Sequence, residues 1–144
     1  MIAFDLDDFE LAPTAPGLRV SFPVHSAAGA ASTAAVLFEL DPGAELAVHT
    51  DSAEELLIIV QGTAEARVGD EVGRLETHQV GRVPPMAPHG LRNIGEDVLR
   101  VLGTFSASTV VSTFERPFEE NGPQVVVIGS PVAVAGYLEE AVPA

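Results

Sequence analysis

The chain contains no cysteine and no lysine. Without cysteine there can be no disulfide, no thiolate metal site and no cysteine nucleophile, and cysteine usage says nothing about the redox compartment. All 7 basic residues are arginines, set against 21 acidic ones, for a net charge of -14 at pH 7. That balance opposes binding to phosphate backbones and to anionic membrane surfaces. No basic patch or DNA-reading helix offsets it, so neither nucleic acid nor membrane is an expected partner. The longest wholly apolar run, LLIIV at 56–60, is far shorter than the roughly 20 residues of a membrane span. The first ten residues, MIAFDLDDFE, are acidic where a secretory signal would be basic. These features predict a soluble, cytoplasmic protein. Internal repeats and a second domain are also lacking.

What is present suits a single all-β domain. A chain of 144 residues is near the commonest domain size and buries roughly 70% of its unfolded surface without a staple. From Leu18 onward, short β-branched runs alternate with turn residues: LRVSFPV, TAAVLFEL, EELLIIV, TAEARV, EVGRLE, QVGRVP, DVLRVLGTF, TVVSTFE and QVVVI. Such spacing predicts a sandwich or barrel. The stretch EELLIIV is apolar on both faces and is expected to be buried on two sides. The Ala-rich SAAGAAS reads as a mobile loop. Residues 1–17 read as an N-terminal arm, 18–129 as the barrel and 130–144 as a helical tail, with Ser130 as N-cap and Pro131 in the first turn. The apolar QVVVIG segment reads as an edge strand that would be safer covered, and a homodimer is the simplest assembly.

Within this pattern sit four potential metal ligands: His49, Asp51, Glu55 and His89. His49 and Asp51 are two apart, which on a strand puts both side chains on one face. Glu55 opens the next strand, with Leu57 and Ile59 continuing its inward row. His89 follows a proline-stiffened turn. Imidazole and carboxylate donors together suit Fe, Mn, Ni, Co, Cu or Zn, and two His with one carboxylate form the facial set that leaves positions open on Fe(II). Singly, a His near a turn is more often a hydrogen-bonded surface residue, and Asp51 could be a turn-former. Glu54 reads as solvent-facing, Asn93 as a structural turn residue, Gly43 and Gly62 as turn glycines, and His25 and His78 as ordinary.

The same residues resemble the two motifs of the cupin superfamily. The first, G-x5-H-x-H-x3,4-E-x6-G, is met by Gly43, His49, Glu55 and Gly62, with Asp51 where the second His belongs. The second, G-x5-P-x-G-x2-H-x3-N, is met by Pro84, His89 and Asn93. His78 and Met86 stand where its two glycines are expected. The resemblance implies a double-stranded β-helix, or jelly roll, often dimeric, with a divalent metal inside held by His49, Glu55 and His89, and by Asp51 through replacement. Asp in place of neutral His lowers the charge of a divalent site from +1 to 0 and weakens it as a Lewis acid.

Function follows as a set of expectations. Foremost is a metal-dependent enzyme acting on a small organic molecule, for which the cupin resemblance implies an iron dioxygenase first, otherwise an isomerase, cyclase, decarboxylase or lyase. Leu57, Ile59 and Met86 would line its pocket and favour an apolar or aromatic substrate. The alternatives are a non-catalytic metal- or ligand-binding module and a metal-free relic. The string His49-Thr50-Asp51 with distal His89 also resembles the triad of 2-oxoglutarate-dependent iron oxygenases, with Arg100 placed to bind a co-substrate carboxylate. The chain is short for that family, and Glu55 would then go unused.

Overall fold

The protein is described from a computed structural model covering residues 1–117 and 122–129. The helix expected over 131–141, and the tail 130–144 generally, lie outside the described residues. Within them the strands are β1 (Ala12–Ala15), β2 (Leu18–Val24), β3 (Ala34–Leu40), β4 (Glu45–Asp51), β5 (Glu55–Gln61), β6 (Thr63–Val68), β7 (Glu71–Glu76), β8 (Val80–Val83), β9 (His89–Asn93), β10 (Leu99–Phe105), β11 (Val110–Phe114) and β12 (Val125–Ile128). They form two six-stranded sheets, ordered β1-β2-β3-β10-β5-β8 and β12-β11-β4-β9-β6-β7. Every pairing is antiparallel. This is a jelly-roll barrel in which successive strands repeatedly cross from one sheet to the other. The first sheet begins before Leu18, because β1 from the expected arm pairs with β2.

Period-two alternation builds the core. On β3, Ala34, Val36, Phe38 and Leu40 point inward; on β10, Leu99, Val101 and Phe105 do the same. Leu57 and Ile59 of β5 join them and are almost fully buried. The other face of β5 is more open than its composition suggests, with Leu56 39% exposed. That outer face carries an apolar row, Leu37, Leu102, Ile58 and Val80, passing through cross-strand partners on β3, β10, β5 and β8. The outer face of the second sheet has instead a charge-alternating row, Glu45, Arg92, Glu65 and Arg74. β12 lies at the edge of the second sheet, with Val125 and Val127 exposed.

Turn residues behave as their chemistry requires. Gly43 and Gly62 have positive φ, at 81° and 99°. Asn93 donates to the carbonyls of Leu40 and Asp97 and accepts from the Gly95 N–H, which ties the turn after β9 to β3. The SAAGAAS stretch is not a free loop: Ser26–Ala28 forms a 3-10 turn pinned to Ser108 and Thr109.

Candidate metal centre

His49 and His89 are direct cross-strand partners on β4 and β9. Between Leu46 and His49 the β4–β9 register slips by one residue, a β-bulge. In regular alternation from the inward Leu46, Val48 would face the core and His49 would face out. The extra residue reverses that parity and re-aims His49, and Asp51 two residues on, into the barrel. Gly90 makes room for the bulge: a Cβ there would lie 3.0 Å from the Leu46 carbonyl oxygen. Asp51 faces Ser112 of β11. Glu55 reaches in from β5 of the opposite sheet, at the head of the inward row that continues through Leu57 and Ile59.

The four side chains converge. One donor atom from each of His49, Asp51, Glu55 and His89 lies within 4.8 Å of all the others, and all four residues are buried. That span is close to roughly twice a 2.1 Å metal–ligand bond. His89 Nε2 is 3.1 Å from Asp51 Oδ2 and 3.2 Å from Glu55 Oε1, and His49 Nε2 is 3.6 Å from Asp51 Oδ2. Each imidazole bonds a main-chain carbonyl through its other nitrogen: His49 Nδ1 to Ala47 O at 2.8 Å, His89 Nδ1 to Ala87 O at 2.9 Å. Facing a carbonyl, Nδ1 must be the donor. In the neutral ring that leaves Nε2 with its lone pair, aimed at the shared centre. His49 is further held by stacking on Phe114, ring centroids 4.4 Å apart.

The electrostatics fit a cation. Asp51 Oδ1 accepts a hydrogen bond of 2.5 Å from the Ser112 hydroxyl. Its other oxygen, Oδ2, is buried and faces the two Nε2 atoms, 3.1 Å from that of His89 and 3.6 Å from that of His49. Burial opposes the Asp51 charge, but His49, His89 and the Ser112 hydroxyl outweigh it and hold the carboxyl well below its usual range. Burial pushes Glu55 up; His89 opposes the rise and the Asp51 charge adds to it. Burial would lower His89, yet contact with Asp51 and Glu55 lifts it to about 10. In the metal-free centre His89 thus shares its proton with the two carboxylates, and a divalent ion would take the place of that proton. The donor set of two nitrogens and two carboxylates suits Fe, Mn, Co, Ni, Cu or Zn.

Beside these four side chains lies a cavity of about 40 Å³. His49, Asp51, Glu55 and Ser112 line one side; Phe22, Phe38, Phe105, Phe114, Val126 and Ile128 line much of the rest. The residues expected in the pocket lie elsewhere. Leu57 and Ile59 continue inward from Glu55 but away from the cavity, and Leu57 borders a separate groove with Ala66, Val83 and Ala87. Met86 is 54% exposed on the turn before β9. Its N–H bonds the Asp51 carbonyl, so it braces the ligand strand through backbone alone. Arg100 lies on the outer face of the first sheet, because the inward positions of β10 belong to Leu99, Val101 and Phe105. There it pairs with Glu39 and Asp7.

A family profile described as a cupin domain matches residues 36–105, which carry all four candidate ligands. The chain carries a cupin domain. No curated protein sequence matches it. Among solved structures, the cupin domain of Schizosaccharomyces pombe Cnp3 is 23% identical over 74% of this chain and 74% of its own, with a TM-score of 0.65. KdgF from Halomonas sp. is 21% identical over 72% of this chain and 91% of its own, at TM-score 0.61. A Lactobacillus farciminis oxalate decarboxylase, solved as a formate complex, is 23% identical over 78% of this chain, at TM-score 0.70. This cupin chain spans only 35% of that enzyme's length. At these identities the likeness establishes the fold.

The sequence motifs did not point to Ser112. One signal lies in the strand VVSTF, where Val110, Ser112 and Phe114 form a buried inward row and Ser112 is its polar member.

Proposed function

We propose that this cupin is a divalent-metal-dependent enzyme acting on a small, neutral, largely apolar organic molecule, with dioxygen chemistry on iron as the leading version. The observation that carries this reading is the convergence of four buried donors, with Asp51 Oδ2 set between two imidazoles whose Nδ1 atoms are already committed to carbonyls. His49, Asp51, Glu55 and His89 would hold the ion. Bound there, iron(II) would supply a redox-active centre, and zinc, manganese or nickel a Lewis acid that polarises a carbonyl. Around it, this chain's own residues set what can enter. Four phenylalanines and five aliphatic side chains exclude water and favour an apolar or aromatic group. The cavity of about 40 Å³ holds roughly three waters, so the reacting portion of the substrate is small.

Charge narrows the class further. Two carboxylates on a divalent ion leave a centre of zero net charge, and among the described residues the cavity lining contains no arginine. A dianion such as oxalate would bring two charges into an apolar space with no countercharge, which is costly. The likeness to oxalate decarboxylase is therefore read as a shared fold, with phenols and diketones the first substrates to try. The test is oxygen consumption by the iron-loaded protein across a panel of these compounds, with oxalate alongside. Turnover of a neutral compound and none of oxalate is the expected result; turnover of oxalate alone contradicts the substrate class.

The near-complete burial of all four ligands favours one second reading, a non-catalytic site where the ion is structural or sensed. In that case metal removal lowers thermal stability, and no compound in the panel is consumed.

A further inference from the structure

Gly103 occupies an inward position in the middle of β10, between the buried side chains of Val101 and Phe105. A glycine inside a strand weakens it, since it has nothing to pack and loses the most freedom on folding. Its φ is not in the left-handed region, so the backbone here suits any residue, and the reason for glycine is space. A Cβ at this position would sit 2.2 Å from Glu55 Oε2, 3.2 Å from Glu55 Cδ and 2.9 Å from Val36 Cγ1. The slot where a β10 side chain would stand is filled by the Glu55 carboxyl. In the register, Glu55 is paired with Phe105 and Gly103 with Leu57, so the Glu55 side chain lies over the position diagonal to its own. From there its other oxygen, Oε1, meets His89 Nε2.

We infer that Gly103 is a positioning residue for the metal centre: its missing side chain is the slot that holds Glu55 in reach of His89 and of the ion. This rests on the metal-site reading above. A methyl group at 103 would push the carboxyl off the centre, whereas with Glu55 removed its nearest remaining contact is Val36 Cγ1 at 2.9 Å. The Val36 contact is common to both backgrounds and cancels in a double-mutant cycle.

The experiment compares the starting protein, Gly103→Ala, Glu55→Ala and the double variant, by zinc titration and by thermal unfolding of each metal-free form. Gly103→Ala alone is expected to weaken zinc binding at least tenfold and to lower Tm. In the Glu55→Ala background the same change is expected to leave zinc binding unaltered and to leave Tm level or raised. If Gly103→Ala fails to fold while the double variant folds, that rescue supports the slot directly. Equal Tm losses in both backgrounds, failure of both to fold, or unchanged zinc binding in Gly103→Ala would each overturn the inference. If the starting protein takes up no zinc, the metal reading fails on its own. The Tm cycle then still decides whether Gly103 orders Glu55, with coupling supporting the slot and additivity refuting it.

Discussion

Ser112 donates to Asp51 across the β4–β11 pair, so one carboxylate oxygen is held by a hydroxyl while the other faces the imidazoles of His49 and His89. The hydroxyl therefore sets the rotation of a candidate metal ligand. Ser112→Ala is expected to leave the fold intact and to weaken metal binding by roughly 10- to 100-fold, the usual effect of removing a partner that orients a ligand. Zinc titration of the variant checks this, and unchanged affinity would show that Asp51 is oriented by something else or does not bind.

Metal uptake should expel a proton. His89 sits at about 10 in the metal-free protein, against an ordinary value of 6.5, so at pH 7 it is protonated and must lose that proton to bind through Nε2. Zinc added to weakly buffered protein at pH 7 is expected to release about one proton per ion bound, read with a pH indicator. Because the folded-state pKa is raised, the associated stability of the metal-free form is complete below the unfolded value near 6.5 and disappears as pH climbs through about 10. Metal-free Tm should therefore fall between pH 7 and pH 10. A flat profile together with no proton release would contradict the shared-proton picture.

The two missing glycines of the second motif leave a mark in the backbone. His78 and Met86 are the non-glycine residues with positive φ among those described, at 73° and 62°. The chain thus keeps a glycine conformation with side chains that resist it. Met86→Gly is expected to stabilise the protein by about 1 kcal/mol, and His78→Gly by less, since histidine tolerates the left-handed region better. Urea unfolding measures both. Destabilisation by either change would mean that the side chain makes a compensating contact.

Arg100 distinguishes two metal chemistries. On the outer face, paired with Glu39 and Asp7, it has no route to a ligand in the cavity. Arg100→Ala should cost about 1 kcal/mol of stability and leave metal content unchanged. Loss of 2-oxoglutarate binding by the iron-loaded protein in that variant would revive the oxygenase reading that the geometry disfavours.

Strand chemistry was legible wherever apolar alternation carried it. LRVSFPV, TAEARV and EVGRLE coincide with β2, β6 and β7 to the residue. β9 was hidden because two of its inward positions, His89 and Asn93, serve the site and a turn instead of the core. β4 emerged only through the spacing of His49 and Asp51, and β1 looked like an arm. The four converging donors could be read because motif spacing is local. The cavity could not, because its walls come from β2, β3, β10, β11 and β12, brought together by a topology that local pattern does not encode. Gly103 and Ser112 take their meaning from residues 48 and 61 positions earlier, and no local pattern reaches that far. Arg100 was misplaced for a simpler reason: its distance in sequence from His89 is blind to which face of β10 it occupies.

Elemental analysis of the protein purified without added metal, beside His89→Ala, tests the central claim most directly. Near-stoichiometric transition metal in the starting protein, lost in the variant, is the expected result, and iron in particular supports the dioxygenase version. No metal in either protein, and none taken up on addition, would contradict the ligand assignment and with it the proposed function.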